Sequence, residues 1–139
     1  MTITLVWMLL LLQSPSKTAH SPEPRAVILS MFSAFNHHDA AAMEKMYAVG
    51  VRLTSSDFCH ERGYSDVKRT YDALFKAFPD IHDDVKVMVS QGSRVAVCFA
   101  ASSKRGGMSM TIHTFLRVRE GRIVEDDSVF DTGGRPCER

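Results

Sequence analysis

The sequence lacks an excess of charge of either sign. Lys and Arg together number 17 and Asp and Glu 16, so the formal net charge at pH 7 is only +1. There is no Lys- or Arg-rich run, no zinc knuckle, no helix-turn-helix and no RNA-binding aromatic motif. Domains that bind nucleic acid usually present a basic patch or one of these motifs. The sequence therefore predicts no nucleic-acid partner.

Cysteine is scarce and shows no regular spacing. The chain has three, Cys59, Cys98 and Cys137, with no C-x-x-C pair among them. An odd number at these spacings argues against both a disulfide framework and a zinc site. Cys98 lies between Val97 and Phe99 and is expected to be a small core residue, whereas Cys59 and Cys137 could pair if the chain is exported.

Sequence signatures of bound cofactors are missing as well. The chain contains no Gly-rich phosphate loop, no G-x-S-x-G elbow and no H-E-x-x-H motif. We therefore expect no nucleotide, flavin or metal ion. A chain of 139 residues with 45% hydrophobic residues is large enough to form one domain with its own core.

No apolar run is long enough to span a bilayer. The longest, Ile3 to Leu12, has ten residues, whereas a transmembrane helix needs about 20. Its length suits a signal peptide, and Ser14 and Ser16 offer small residues for cleavage, but no Lys or Arg precedes it. Cytoplasmic and exported locations both stay open. We assign residues 1–22 to a leader and linker, 23–132 to the folded domain and 133–139 to a flexible tail.

Helical periodicity is confined to the first half of the domain. Pro24 fits the first turn of a helix, and apolar residues recur at helical spacing over 24–38. Asp39 is a natural N-cap for a short second helix, which would include Tyr47 and end at Gly50. A short strand over 51–54 and a third helix, capped by Ser65, would follow.

Alternating apolar and polar residues predict strands throughout the second half. The pattern holds over 81–90 and 95–101, and then over a long hairpin, 108–131, with a polar turn at Gly121. Helices followed by a run of strands predict an α+β domain, in which the helices pack on one side of an antiparallel sheet.

The first strand of the hairpin has two faces of different chemistry. Thr111, His113 and Phe115 share one face because side chains alternate along a strand. Met110, Ile112 and Leu116 fall largely on the other face.

The second strand of the hairpin carries four acids, Glu125, Asp126, Asp127 and Asp131. Carboxylates this dense should face water or line a polar cavity, because burying an unpaired charge is costly. In a regular strand Asp127 and Asp131 share a face about 13 Å apart, too far to share a proton or chelate one metal ion. A β-bulge would reverse the faces and direct Asp126, Ser128 and Phe130 to the pocket instead.

Several segments together resemble the SnoaL-like polyketide cyclase family, within the nuclear-transport-factor-like, ketosteroid isomerase-like superfamily. They are Phe35–Asp39 followed by Met43–Tyr47, then Phe78–Ile81, and finally the strand–turn–strand from Thr111 to Glu125 that leads to Phe130 and Asp131. The resemblance covers residues 25–131. It implies a cone-shaped, curved antiparallel or mixed sheet packed against three N-terminal helices, enclosing a hydrophobic pocket, and it implies a homodimer.

The resemblance also implies a set of site residues. Asp131 matches the acid/base of SnoaL-like cyclases, and an apolar pocket would raise its pKa toward neutrality. His113 would polarise a carbonyl or share a proton with Asp131. The remaining pocket wall would comprise Thr111, Phe115, Asp127, Tyr47, Tyr71, Phe75 and Met88. The alternative interpretations are a turn-capping Asp131, a hydrogen-bonded core His113 and helical aromatics that are plain core.

The implied function is cofactor-free acid/base chemistry on a small hydrophobic carbonyl compound. The reaction would be of the cyclase, isomerase, dehydratase or hydrolase type. Since this fold also serves without catalysis, the alternative is a ligand-binding or dimerisation module. Asp131 and His113 pointing into a closed cavity would favour the enzyme, whereas outward-facing side chains would count against it.

Overall fold

The computed structural model of the protein describes residues 21–137, so most of the predicted leader lies outside the described residues. This part of the chain forms three helices and five strands. In chain order they are α1 (Pro24–Asn36), α2 (Ala40–Met46), β1 (Tyr47–Ser55), α3 (Tyr64–Ala77), β2 (His82–Gln91), β3 (Arg94–Ser103), β4 (Met108–Arg119) and β5 (Arg122–Val129).

The five strands form a single mixed sheet in the order β1-β5-β4-β3-β2. Strands β2 to β5 run as an antiparallel meander, and β1 lies at the edge, parallel to β5. The predicted α+β class is therefore confirmed. The β4–β5 hairpin turns at Glu120 and Gly121, which both have positive φ of 50° and 73°, as two-residue hairpin turns require.

The first two helices begin where the sequence predicts. Pro24 opens α1, and the Asp39 carboxylate accepts a hydrogen bond from the Ala42 amide at 2.8 Å as the N-cap of α2. The predicted end of α2 at Gly50 is wrong. Tyr47 is already extended and pairs with Ile123 of β5, because parallel pairing with β5 outweighs the local helical pattern.

The third helix begins two residues earlier than predicted. Gly63, not Ser65, is its N-cap residue, and the Asp66 carboxylate accepts a hydrogen bond from the Gly63 amide at 3.1 Å. The helix ends before Pro79, whose ring disfavours a helical conformation in Phe78.

The core lies between the helices and one face of the sheet. Ile28 of α1, Val67 of α3 and Ile123 of β5 are fully buried, and Phe32 packs edge-on against Phe99 with ring centroids 5.0 Å apart. None of the helices within residues 21–137 is long and apolar enough to cross a membrane. The face of the sheet that meets the helices is therefore the one that can enclose a site.

Candidate functional site

A cavity of about 550 Å³ lies between the helices and the inner face of the sheet. Its walls are mostly apolar: helix residues such as Phe35 and Leu74 face strand residues such as Phe99, Met110 and Ile112. Two buried carboxylates, Asp83 and Asp126, also line it. Buried acids in an apolar cavity are unusual unless they serve a ligand or a reaction, so these two define the candidate site.

A β-bulge in β5 determines which acids face the cavity. Arg117 of β4 pairs with Glu125, but the adjacent Val118 pairs with Ile123, so Val124 is an extra residue in β5. The bulge puts Ile123 and Asp126 on the same inner face, where a regular strand would place Ile123 with Asp127. Of the two alternatives in the sequence, the structure has the bulged one: Asp126, Ser128 and Phe130 line the cavity.

Two chains of hydroxyl groups converge on the Asp126 carboxylate. On one side, the Tyr47 hydroxyl donates to Oδ2 at 2.7 Å, and the Tyr71 hydroxyl lies 3.0 Å from that of Tyr47. On the other side, the Thr114 hydroxyl donates to Oδ1 at 2.9 Å, and Ser128 donates to Thr114 at 3.1 Å. Tyr47 has one proton and gives it to Asp126, so Tyr71 must be the donor to Tyr47. Tyr71, Thr114 and Ser128 all line the cavity, which connects the buried carboxylate to its contents.

The environment of Asp126 raises the pKa of its carboxyl group above the ordinary value. Burial disfavours the charged form, and the hydrogen bonds from Tyr47, Thr114 and Ser128 offset this only in part. Burial also raises the pKa of both phenols, Tyr47 and Tyr71, and the nearby Asp126 charge adds to the effect. At neutral pH both phenols therefore stay protonated and can pass hydrogen bonds along the chain.

The second acid, Asp83, has no such partners. It lies on β2, and Oδ1 of its carboxylate has no hydrogen-bond partner among the described residues. Its backbone is fixed by Asn36, whose side chain accepts from the Asp83 amide at 2.8 Å and donates to the Asp83 carbonyl at 2.9 Å. Burial raises the pKa of Asp83 to about 7. The one signal for Asp83 in the sequence is its inward position between Ile81 and Val85 in the alternation of β2.

The predicted orientation of Thr111, His113 and Phe115 is wrong. All three are exposed and none lines the cavity. The opposite face of β4 packs on the helices, because the buried Val97 of β3 pairs with Thr114 and not with His113. His113 instead pairs with Cys98 on the outer face of the sheet.

The predicted acids of β5 also lie outside the cavity. Asp127 is exposed, and it accepts a hydrogen bond from Thr54 on the neighbouring strand β1 at 2.7 Å. Asp131 is exposed and accepts a hydrogen bond from the Gly133 amide at 2.8 Å. This is the turn-capping arrangement that was the alternative for Asp131. Among the described residues, no hydrogen bond joins Asp131 to His113, so the expected pair is not formed.

The other predicted wall residues have mixed positions. Tyr71 lines the cavity. Tyr47 lies behind the wall, and its hydroxyl contacts three residues of the wall, Met31, Tyr71 and Asp126. Phe75 stacks on His38 with ring centroids 4.6 Å apart, and Phe75 and Met88 pack against the core without lining the cavity. The aromatic residues of α3 thus contribute to both the core and the cavity wall.

The C-terminal segment contributes to the wall of the cavity. Cys137 forms a disulfide with Cys59, with Cα atoms 4.9 Å apart, and Arg135 lines the cavity. The tail that was expected to be flexible is therefore tied to the β1–α3 loop as far as residue 137. Asp57, Arg62 and Arg69 also line the cavity. Within residues 21–137 no cluster of three or more His, Cys, Asp or Glu side chains could hold a metal ion.

Comparison with known protein families identifies the family to which the chain belongs. A family model described as "SnoaL-like domain" matches residues 28–126. The chain belongs to the SnoaL-like domain family. No curated protein matches it in sequence.

Solved structures of this SnoaL-like protein's relatives have the same fold. IdmH, a proposed polyketide cyclase from Streptomyces antibioticus, has a TM-score of 0.71 and 23% identity, over 81% of this chain and 94% of that one. AclR, a proposed hydroxylase from Streptomyces galilaeus, has a TM-score of 0.69 and 24% identity, over 81% of each chain. A proposed ketosteroid isomerase from Kribbella flavida has a TM-score of 0.68 and 19% identity, over 84% and 83% of the two chains. At these identities the likeness establishes the fold alone.

Proposed function

We propose that this SnoaL-like protein is a cofactor-independent acid/base enzyme that acts on a small hydrophobic carbonyl compound. The observation that carries the proposal is the buried Asp126 carboxylate, which is connected to the cavity through Tyr47 and Tyr71. Burial raises the pKa of the Asp126 carboxyl group above its ordinary value, so it binds a proton more readily than an exposed carboxylate does, as a general acid/base requires. Asp126 thus replaces Asp131 as the acid/base candidate, and Tyr71 replaces His113 as the group that polarises the carbonyl.

The direction of the hydroxyl chain depends on the protonation state of Asp126. When Asp126 is ionised, Tyr71 donates to Tyr47 and Tyr47 donates to Asp126, so only the lone pairs of Tyr71 face the cavity. When Asp126 is protonated, it donates to Tyr47, Tyr47 donates to Tyr71, and the Tyr71 proton is free to bind a carbonyl oxygen. In enolisation, the ionised Asp126, which lines the cavity, would take the proton from the carbon next to the carbonyl, and the electron pair of that C–H bond would form the enolate. Asp126 would then be protonated, so the hydroxyl chain would reverse and Tyr71 would donate to the enolate oxygen and stabilise its negative charge. Enolisation is the common first step of isomerisation and aldol-type cyclisation.

The experiment measures deuterium incorporation next to the carbonyl of ketones in heavy water, followed by NMR. The full chain is incubated with a panel of aromatic, steroidal and small cyclic ketones. We expect catalysed exchange for one compound class, and loss of exchange by about 100-fold or more in Asp126→Asn and Tyr71→Phe, as for removal of a general acid/base.

The matched controls are Asp131→Asn, Asp127→Asn and His113→Asn, which alter exposed side chains outside the cavity. These three variants should retain the wild-type rate. If exchange depends on Asp131 or His113 and is indifferent to Asp126, the assignment of the site fails. Absence of exchange with every ketone that binds would end the enzyme proposal.

In that case the second candidate is a non-catalytic module that binds ligands or assembles through its sheet. One observation favours it: the outer face of the sheet exposes Phe115 and Val129 on adjacent strands, together with Val87 and Val89 of β2. Exposed apolar side chains gathered on one face usually mark a protein–protein contact. We propose a homodimer through this face for the enzyme and for the module alike.

A further inference from the structure

We propose that Asp83 is a second polar anchor of the cavity, which binds a hydroxyl donor at the end of the ligand farthest from Asp126. The inference rests on the proposed function in taking the ligand to be a small hydrophobic molecule whose carbonyl group contacts Tyr71. It adds a chemical requirement to that ligand, namely a neutral hydrogen-bond donor remote from its carbonyl group.

The first support is the unsatisfied state of a rigidly held carboxylate. Asp83 is only 6% exposed and lines the cavity, and its Oδ1 has no hydrogen-bond partner among residues 21–137. The two hydrogen bonds between Asn36 and the Asp83 backbone fix the strand at this point, so the side chain cannot turn outward without breaking them. Nearly all buried polar atoms in proteins are paired, and an unpaired one costs free energy. A ligand that donates to Oδ1 would recover that cost.

The second support is the separation of the two acids. Asp83 is on β2 and Asp126 on β5, with β3 and β4 between them, so three strand spacings amount to about 14 Å across the sheet. The two acids are also offset along the strands, because Asp83 lies in the row of Met110 on β4 and Asp126 lies in the row of Leu116. They cannot share a proton, and burial alone raises the pKa of Asp83. Tyr71 is near both acids, since the charges of Asp126 and Asp83 each raise its pKa. A ligand that contacts Tyr71 through its carbonyl therefore has room to extend toward Asp83 with its opposite end.

The third support concerns the kind of donor. The walls of the cavity are mostly apolar, and moving a cationic amine from water into such a site costs far more free energy than moving a neutral alcohol or phenol. The donor that suits both the apolar walls and the anchor is thus a hydroxyl group.

The test compares two probes that differ only in the donor. These are 2-naphthol and 2-methoxynaphthalene, whose affinities for the full chain are measured by calorimetry at pH 8 and pH 5.5. The phenolic proton, like that of tyrosine with a pKa of about 10, stays bound at both values. We expect 2-naphthol to bind roughly 10-fold or more tightly than the ether at pH 8, where Asp83 is ionised, because hydrogen bonds to charged groups are the stronger ones. The preference should shrink at pH 5.5.

Two variants keep the proposal falsifiable. Asp83→Val removes the acceptor and should abolish the preference at both pH values. Asp83→Asn, which retains the shape, should leave a weak preference that no longer varies with pH. The matched control is Asp84→Asn, an exposed neighbour on the same strand, which should behave as the wild type.

Asp126→Asn separates this inference from the proposed function. It should abolish deuterium exchange and yet retain the pH-dependent preference for 2-naphthol. Equal affinity for the two probes at pH 8, binding of neither probe, or a preference that follows Asp126 and is unchanged in both Asp83 variants would each overturn the anchor.

Discussion

The two buried aspartates of the cavity differ in the hydrogen bonds that their carboxylates receive. Asp126 receives hydroxyl donors on both carboxylate oxygens, which offset part of the cost of burial. Asp83 receives none on Oδ1 and is held only through its backbone. This difference is why we propose Asp126 as the acid/base and Asp83 as a ligand anchor. Unsatisfied buried groups of this kind lower stability, and proteins tend to retain them for function.

Replacing Asp83 should change how stability depends on pH. In the unfolded chain an Asp carboxyl has a pKa of about 3.9, and in the folded protein burial raises the pKa of Asp83 to about 7. Between these values the folded state holds a proton that the unfolded state has lost, so the free energy of unfolding falls as pH rises through this window and levels off above it. Asp83→Asn removes this contribution. The free energy of unfolding of Asp83→Asn minus that of the wild type should therefore increase from pH 4 to pH 7, by about 4 kcal/mol at most.

Urea unfolding at pH 4.5, 6 and 8 measures this difference. Asp84→Asn is the control: the hydrogen bond from Lys86 lowers the pKa of Asp84, so its contribution is lost only at more acidic pH. A difference between Asp83→Asn and the wild type that is the same at all three pH values would show that Asp83 is not a buried, proton-binding group.

At the scale of elements, sequence periodicity predicts which segments are helices and strands better than it predicts which face is inside. The meander from β2 to β5, the Asp39 cap and the Pro24 start follow from local patterns. The inner face of β5 does not, because the single extra residue Val124 reverses the alternation after it, and nothing in a run of acids indicates where a bulge occurs. Local periodicity predicts a helix at Tyr47, because its parallel partner, Ile123, is 76 positions away in the sequence and leaves no local signal.

The disulfide between Cys59 and Cys137 should stabilise the protein substantially. It ties the C-terminal segment to the β1–α3 loop across a sequence separation of 78 residues. Closing a loop of this length removes conformational entropy from the unfolded chain, worth about 4.5 kcal/mol in the chain-entropy model and about 2–5 kcal/mol in practice. Cys59→Ser should lower the melting temperature of the oxidised protein by several degrees, and a dithiol reductant should do the same to the wild type. Cys98 is a free cysteine.

Cys98→Ser is therefore the control, and it should keep the full response to the reductant. Differential scanning calorimetry with and without the reductant gives the comparison for all three proteins. A wild-type melting temperature that does not respond to reduction would mean that the bond is absent or that the C-terminal segment adds nothing to stability.

At the scale of the whole molecule, the two faces of the sheet carry different kinds of residues. The inner face carries the cavity and both buried acids, and the outer face carries His113, which is exposed. Strand pairing joins the residues of the outer face into a continuous surface. Val89, Ala96 and Phe115 are cross-strand neighbours, as are Val87, Cys98, His113 and Val129. Exposing an apolar surface of this kind to water is unfavourable, and we therefore propose that a second copy of the chain covers it.

The homodimer can be tested with a single charge on that surface. Phe115 is 56% exposed, and burying a Phe side chain contributes about 1.5–3 kcal/mol, which a two-fold interface counts twice. Phe115→Lys should convert a dimer into a monomer of unchanged stability, as measured by light scattering after size exclusion. Leu29→Lys, at an exposed apolar position on α1, away from the sheet, should remain dimeric. A wild type that runs as a monomer at 100 µM would refute the interface, and the exposed valines and Phe115 would then need another partner.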